Sequence, residues 1–281
     1  MRALFVHPVE MAETPTLTRR QLGVKLRKWR NRSGLSLDDI EVADIMSIPK
    51  MYKLEGGKSP KPSWPEIQEL AKLYGAPADE VKELARMAKA CLVSGWYVPF
   101  DVPQQFQTYL DLEGAASRLR FYENEYVNGL FQVEPYIRAV QESGGLIGEQ
   151  ADPHVRFRTQ RINRFWGRKP LPVVDLVMSE GALRRIVGGP EAMAAQVGHL
   201  RELDAGPQVS IFIVPFSAGP HPSMEGKYTI MEFNRDEYPK VVYLESRSEC
   251  QYHERLAVLA LYERSWTETL KLAVPMKEFE L

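Results

Sequence analysis

Two groups of residues have types and spacings that could do chemistry. In the first, Ser47, Ile48, Lys50, Met51 and Lys53 fall within seven positions, with Arg27, Arg30, Lys58 and Lys61 close by in the chain. Such a run suits contact with a polyanion: Lys can donate to the O6/N7 edge of guanine, and the surrounding cations can neutralise phosphates. In the second, Ser217, His221, Glu180 and Asp175 include the residue types of a hydrolytic triad. Ser217 lies in Pro215-Phe216-Ser217-Ala218-Gly219, without the G-x-S-x-G elbow that exposes a nucleophile between strand and helix. Catalysis is therefore not expected, and the loop Ala218-Gly219-Pro220-His221-Pro222 reads as a rigid turn after a strand. A pocket holding a small effector is the more credible use of this part of the chain. Glu113, Tyr122, Glu180, Arg184, Ser217 and His221 are its candidate polar groups. The bland reading stays open: Glu180 can belong to a helix cap, Arg184 to the surface and Tyr122 to the core.

The elements that would position the first group are short helices. Leu22, Leu26 and Trp29 recur at helical spacing in a helix ending at Gly34. Ser36 opens a second helix, with Asp38 and Asp39 at the positive end of its dipole, running to about Asp44 or Ile45. A third runs from a Ser47 cap to Glu55, with Met51 and Leu54 inward and Pro49 tolerated in the first turn. Ser63-x-x-Glu66 has capping-box spacing and opens a fourth, whose apolar face is Ile67, Leu70, Ala71 and Tyr74, before Gly75. Val81, Leu84, Ala85 and Ala88 mark a fifth. The expectation is an all-α, five-helix helix-turn-helix domain over residues 16–90, its third helix presented to a major groove.

Charge divides the chain in the same way. Residues 16–75 carry 12 Lys/Arg against 7 Asp/Glu, whereas residues 76–281 carry 23 against 28, although the whole chain has a formal net charge of −1. A small basic module joined to a larger acidic one suits a protein whose first part meets double-stranded DNA. Residues 96–281 are expected to form an α+β domain with a mixed, helix-covered sheet. Its reading is mostly helical over 104–142 with a break near Val127-Asn128-Gly129. A basic helix follows over 153–167 with Arg156, Arg158, Arg161, Arg164 and the adjoining Arg168. Strands are expected at 173–178, 209–214, 228–233 and 241–245, helices near 180–187 and 190–205, and a closing helix over 252–272. The basic helix offers either a second polyanion contact or pairs with the domain's own carboxylates.

Other classes are disfavoured. The longest apolar runs fall short of the roughly 20 residues needed to cross a bilayer, and the first fifteen residues lack the pattern of a secretory leader. A cytoplasmic protein without membrane contact is expected. Cys91 and Cys250 form no metal or disulfide pattern, the five histidines are scattered, and neither GxxxxGK[ST] nor GxGxxG occurs. No cofactor and no metal are expected.

The string Leu35-Ser36-Leu37-Asp38-Asp39, continuing through Met46-Ser47 to Lys50-Met51-Tyr52-Lys53-Leu54-Glu55-Gly56-Gly57-Lys58 and Pro62-Ser63, resembles the phage-repressor-like, or Xre, helix-turn-helix family. Leu37 stands where many members carry Gln, Glu41 where a small residue is usual, and Ile45 in place of a Gly at the turn.

Downstream, the order of several segments resembles the C-terminal domain of the WhiJ-like regulators of actinobacteria. They are Tyr109-Leu110-Asp111-Leu112-Glu113-Gly114-Ala115-Ala116; Tyr122-Glu123 with Asn128-Gly129-Leu130-Phe131-Gln132; Ser179-Glu180-Gly181-Ala182-Leu183-Arg184-Arg185 with Val187-Gly188-Gly189-Pro190; Val214-Pro215-Phe216-Ser217-Ala218-Gly219-Pro220-His221-Pro222; and Val242-Tyr243-Leu244-Glu245. Asn128 and Phe131 replace the family's usual Pro and Leu. The resemblance implies a cytoplasmic DNA-binding regulator, often encoded with a small partner protein. Since one short helix offers few contacts, a homodimer reading a two-fold site is expected, with the second domain for dimerisation and for sensing an effector or partner. The alternative is a protein-interaction or antitoxin-like partner whose degenerate helix-turn-helix does not bind DNA, a reading kept open by Leu37, Glu41 and Ile45.

Overall fold

A computed structural model describes residues 15–59, 61–92, 95–234, 240–246 and 249–281. Residues 1–14, most of the stretch read for a leader, lie outside the described residues. The chain divides into two units, Met1–Ala115 and Ala116–Leu281. This division falls some twenty residues after the expected one.

The first unit opens with α1 (Pro15–Ser33), α2 (Leu37–Val42), α3 (Ile48–Glu55), α4 (Trp64–Leu73) and α5 (Ala78–Ala90), followed by α6 (Gln104–Ala115). Leu22, Leu26, Ile40, Met51, Leu54, Ile67, Leu70, Ala71, Leu84 and Ala88 share one core, with Trp29, Leu37 and Ile45 packed against its edge. These are the positions the helical spacing selects, because residues three and four apart lie on one helix face. Ser36 caps α2 as expected, and Asp39 completes a reciprocal capping box. The box expected at Ser63 does not form; Ser63 holds the N-cap position without a side-chain bond, and Glu66 turns instead to Lys50. Gly23 sets the approach of α1 to the end of α3. A Cβ there would lie 2.6 Å and 2.7 Å from the carbonyl oxygens of Leu54 and Glu55. Gly23→Ala is therefore expected to lower stability by about 1–3 kcal/mol in urea unfolding, since backbone must shift to admit the methyl.

The second unit is α+β. Its elements are β1 (Arg118–Glu123), α7 (Glu134–Ser143), α8 (Asp152–Trp166), β2 (Val173–Ser179), α9 (Glu180–Arg184), α10 (Pro190–Asp204) and β3 (Val209–Val214), then β4 (Tyr228–Glu232), β5 (Val241–Glu245), β6 (Cys250–His253), α11 (Leu256–Leu270) and β7 (Val274–Pro275). Seven strands form one sheet in the order β6-β5-β4-β1-β2-β3-β7. β1, β2 and β3 run parallel, and β4 through β6 pair antiparallel in sequence, so the sheet is mixed.

Two helical expectations are corrected. Residues 118–123, read as part of a long helical stretch, form the central strand β1. Its burial is nearly continuous, with Leu119 and Phe121 fully enclosed, although Arg118, Arg120 and Glu123 interrupt the apolar run that marks a buried strand. The start of the expected final helix is β6, and α11 begins only at Leu256. Arg120, on β1, is enclosed with carboxylates from distant elements: Glu263 at 2.6 Å and Glu232 at 2.8 Å.

Candidate nucleic-acid interface

The turn between α2 and α3 puts Asp44, not Ile45, in the left-handed region at φ 56°. Aspartate tolerates that conformation better than most residues, which frees Ile45 to pack on the core edge. This fixes the third helix at Ile48–Glu55. Ser47, Pro49, Lys50, Tyr52 and Lys53 are exposed, while Ile48 is partly covered.

The expected contact residues divide into three sets. Lys50, Lys53, Lys58 and Lys61 remain on the surface with Ser47. Met51 is corrected: its side chain is fully buried among Leu22, Leu26 and Leu54 and faces the core rather than a groove. Arg27 and Arg30 point to the buried carboxylate of Glu55. Arg30 Nε and Nη2 donate to it at 2.6 Å and 3.0 Å, and Arg27 Nε donates at 3.2 Å. Arg30 Nη1 also donates to the Leu35 carbonyl at 3.2 Å, so this guanidinium joins α1, the following turn and α3. The hydrogen bond to Glu55, opposed by burial, holds the Arg30 pKa above its ordinary value. Arg30 is thereby a structural clamp, unlike the expected phosphate ligand, whereas Arg27 keeps about half of its side chain in solvent (54%).

Two carboxylates flank α3. Lys50 Nζ donates to both oxygens of Glu66, at 2.6 Å and 2.7 Å. Glu41 accepts the Ile48 backbone N–H at 3.2 Å, satisfying a free donor at the start of α3. Tyr52, 64% exposed between the two lysines, is a contact candidate that the charge-led reading missed. Its signal was the helical period, which turns Met51, Leu54 and Glu55 inward and leaves Tyr52 outward.

In the second unit, the carboxyl ends of β1, β2, β3 and β5 lie along one edge of the sheet, together with the amino end of β4. Open sheets with parallel strands bind ligands at such edges. Five of the six expected pocket residues lie near it. Tyr122, next to last in β1, stacks on Tyr228 while His221 meets its ring edge-on, at centroid distances of 5.6 Å and 5.7 Å. Glu180 accepts the Phe216 N–H at 2.7 Å and Arg184 Nε at 2.9 Å, tying α9 to the turn after β3; the Phe216 bond chiefly holds its pKa low. Ser179, rather than Glu180, caps α9. Ser217 is exposed, and His221 Nδ1 lies 3.4 Å from Thr269 Oγ1, within a hydroxyl chain that runs on to Ser223 and Tyr228. Glu113 is buried on α6, in the first unit.

The sequence reading missed a polar cluster at the same edge. Glu123 accepts from Asn128 Nδ2 at 2.7 Å, Lys227 Nζ pairs with Glu245 at 2.7 Å, and Arg158 Nη1 donates to Gln132 Oε1 at 3.3 Å. Burial raises the Glu123 pKa from 4.5 to about 7, against the opposing pull of Lys227 and the Asn128 bond. A raised folded-state value favours the acid, so this group's contribution to stability is complete below pH 4.5 and is lost as pH rises through 7. Glu123→Gln, which keeps an acceptor for Asn128, is expected to melt above the parent protein near pH 8 and level with it near pH 4. A Tm difference that does not change with pH would refute this assignment.

Among the described residues no group of three or more His, Cys, Asp or Glu could hold a metal ion, and no helix is long and apolar enough to cross a membrane. No curated relative matches the chain. Residues 21–84, which span α1 to α5, match a helix-turn-helix domain family, and this points to a DNA-binding regulatory role. Residues 106–278, more than half of the chain, match the domain of unknown function DUF5753, and the chain belongs to that family, with a helix-turn-helix domain ahead of its defining domain.

Proposed function

We propose that the protein is a transcription regulator of the WhiJ-like kind, with an Xre-type helix-turn-helix, that reads a two-fold DNA site as a homodimer in the cytoplasm. The observation that carries this reading is the outer surface of α3, where Ser47, Lys50, Tyr52 and Lys53 are exposed next to Lys58 and Lys61. A helix of this size fits the major groove. Its cations contact guanine edges or phosphates, and the clamp at Glu55 fixes its angle to α1. Self-association is supported by α11, where Leu256, Ala257, Ala260 and Leu261 form an exposed apolar stripe. In this reading the second unit supplies dimerisation and responds to a small effector or partner protein, the effector favouring one of two half-site spacings. It has no catalytic role.

A second reading is favoured by Glu41 and Glu66, which bring negative charge to both flanks of α3. In it the domain docks a protein and does not bind DNA. Selection from a random duplex pool at about 0.15 M salt, with the full chain, separates the two. Enrichment of a symmetric site with half-sites about 34 Å apart, or a multiple, is the expected result. Recovery of no site transfers the assignment to protein docking.

A further inference from the structure

We propose that the polar cluster at the carboxyl end of β1 is a binding site for a small molecule carrying a carboxylate or phosphate, with the Arg158 guanidinium as its anchor. The first argument is a pair of adjacent guanidinium groups, one of them with donors to spare. A guanidinium offers five donors, yet the hydrogen-bond partner of Arg158 among the described residues is the neutral amide oxygen of Gln132. Arg161 lies one helical turn along α8, and both guanidinium groups stand over Gly129; a Cβ there would be 3.3 Å from Arg161 Nη1 and 3.7 Å from Arg158 Nη1. Lys227 is paired with Glu245, and Glu123 is held by Asn128. Burial, with Arg161 adding repulsion that outweighs the attraction of Glu245, pulls the Arg158 pKa down to about 10. An oxyanion would take up the remaining donors through a two-pronged contact and offset the repulsion between Arg158 and Arg161.

The second argument is rigidity. The loop that carries Gly129 and Gln132 is fixed along its length. Tyr136 OH accepts from Val127 N–H, Asn128 Oδ1 accepts from Leu130 N–H, Gln132 Nε2 donates to the Val127 carbonyl, and Trp166 Nε1 donates to the Leu130 carbonyl at 2.7 Å. Gln196 then holds both the Phe131 carbonyl and the Val133 N–H. A locked loop below a guanidinium with donors to spare is a preorganised receptor.

The third argument is position. From β1 the chain builds outward through β2 and β3 on one side and returns to β4 on the other, and Glu123 and Lys227 stand where those directions part. Crevices of open sheets form at such places. The ligand deepens the effector-sensing role proposed above, but it is tested by binding in the absence of DNA, so loss of the regulatory reading would not remove it.

The probe is sulfate, which does not titrate near neutral pH, added to the full chain at about 5 mM, well below the range of its general salting effect, against chloride of matched ionic strength. Sulfate is expected to raise the Tm of the parent protein and to give a saturable calorimetric isotherm. Arg158→Met is expected to abolish both responses while melting no lower than the parent in chloride, because it removes a desolvated charge. Lys227→Met, at the more exposed rim, is expected to fold normally and weaken sulfate binding about tenfold, as loss of one charge-assisted contact would. Equal sulfate responses in the parent, Arg158→Met and Lys227→Met would overturn the proposal, as would a parent protein that does not distinguish sulfate from chloride.

Discussion

Glu55→Ala is expected to cost about 3–5 kcal/mol in equilibrium unfolding, the usual penalty for removing one partner of a buried ion pair. Glu55 keeps only 4% of its side chain in solvent and Arg30 only 16%. The alanine variant would leave the Arg30 guanidinium enclosed without its anion and would release the end of α3 from α1. Arg27→Ala is expected to cost less than about 1 kcal/mol, because its guanidinium is reached by water and keeps its main alternatives there. DNA affinity should follow the same order: the Glu55 variant loses binding on every sequence because the recognition helix is no longer held. A Glu55→Ala protein within about 1 kcal/mol of the parent would refute the clamp.

Lys50→Ala is expected to reduce discrimination at one base position of the selected site by about 1–3 kcal/mol, the range for a good bidentate contact to guanine. Lys53→Ala should instead weaken binding evenly on all duplexes and reduce the salt slope by about one counterion, as a phosphate contact does. The difference follows from position. Lys50 stands in the first turn of α3, the part of a recognition helix that reaches base edges, and Glu66 fixes its ammonium with two short bonds. Lys53 is one turn farther along and exposed. The Lys50–Glu66 pair is partly solvated, so releasing it for a base costs at most about 1 kcal/mol. Glu66→Gln should accordingly tighten binding to all duplexes and loosen base preference, since it removes both a repelling charge and the group that aims Lys50. Binding by competition titration at two salt concentrations distinguishes these outcomes. Equal losses for Lys50→Ala and Lys53→Ala at every base position would exchange their roles or dismiss both.

What the sequence determined by itself was local. Leu22, Leu26, Ile67, Leu70, Val81 and Leu84 recur at helical spacing, and each enters the core of the first unit, because a helix buries one face whatever it packs against. Ser36 and Asp39 lie close enough to cap α2 without help from the rest of the fold. The β-branched runs at β2 and β3 were legible for a similar reason: both form short, largely buried strands.

Tertiary structure decided what depends on residues far apart in the chain. β1 does not read as a buried strand because Arg118, Arg120 and Glu123 interrupt its apolar residues. Arg120 is tolerated inside only because Glu232 and Glu263 reach it from 112 and 143 positions away. Arg30 looks like a phosphate ligand until the end of α3 places Glu55 beside it. Met51 lies within the contact run, but the inward face of α3 encloses it. Glu123, Arg158, Lys227 and Glu245 come from four separate segments, and the sheet order brings them to one edge. The spacing of residues within one element fixes which face it buries. The pairing of charges between elements is set only when those faces close on one another, and a low-dielectric interior then makes the choice of partner energetically decisive.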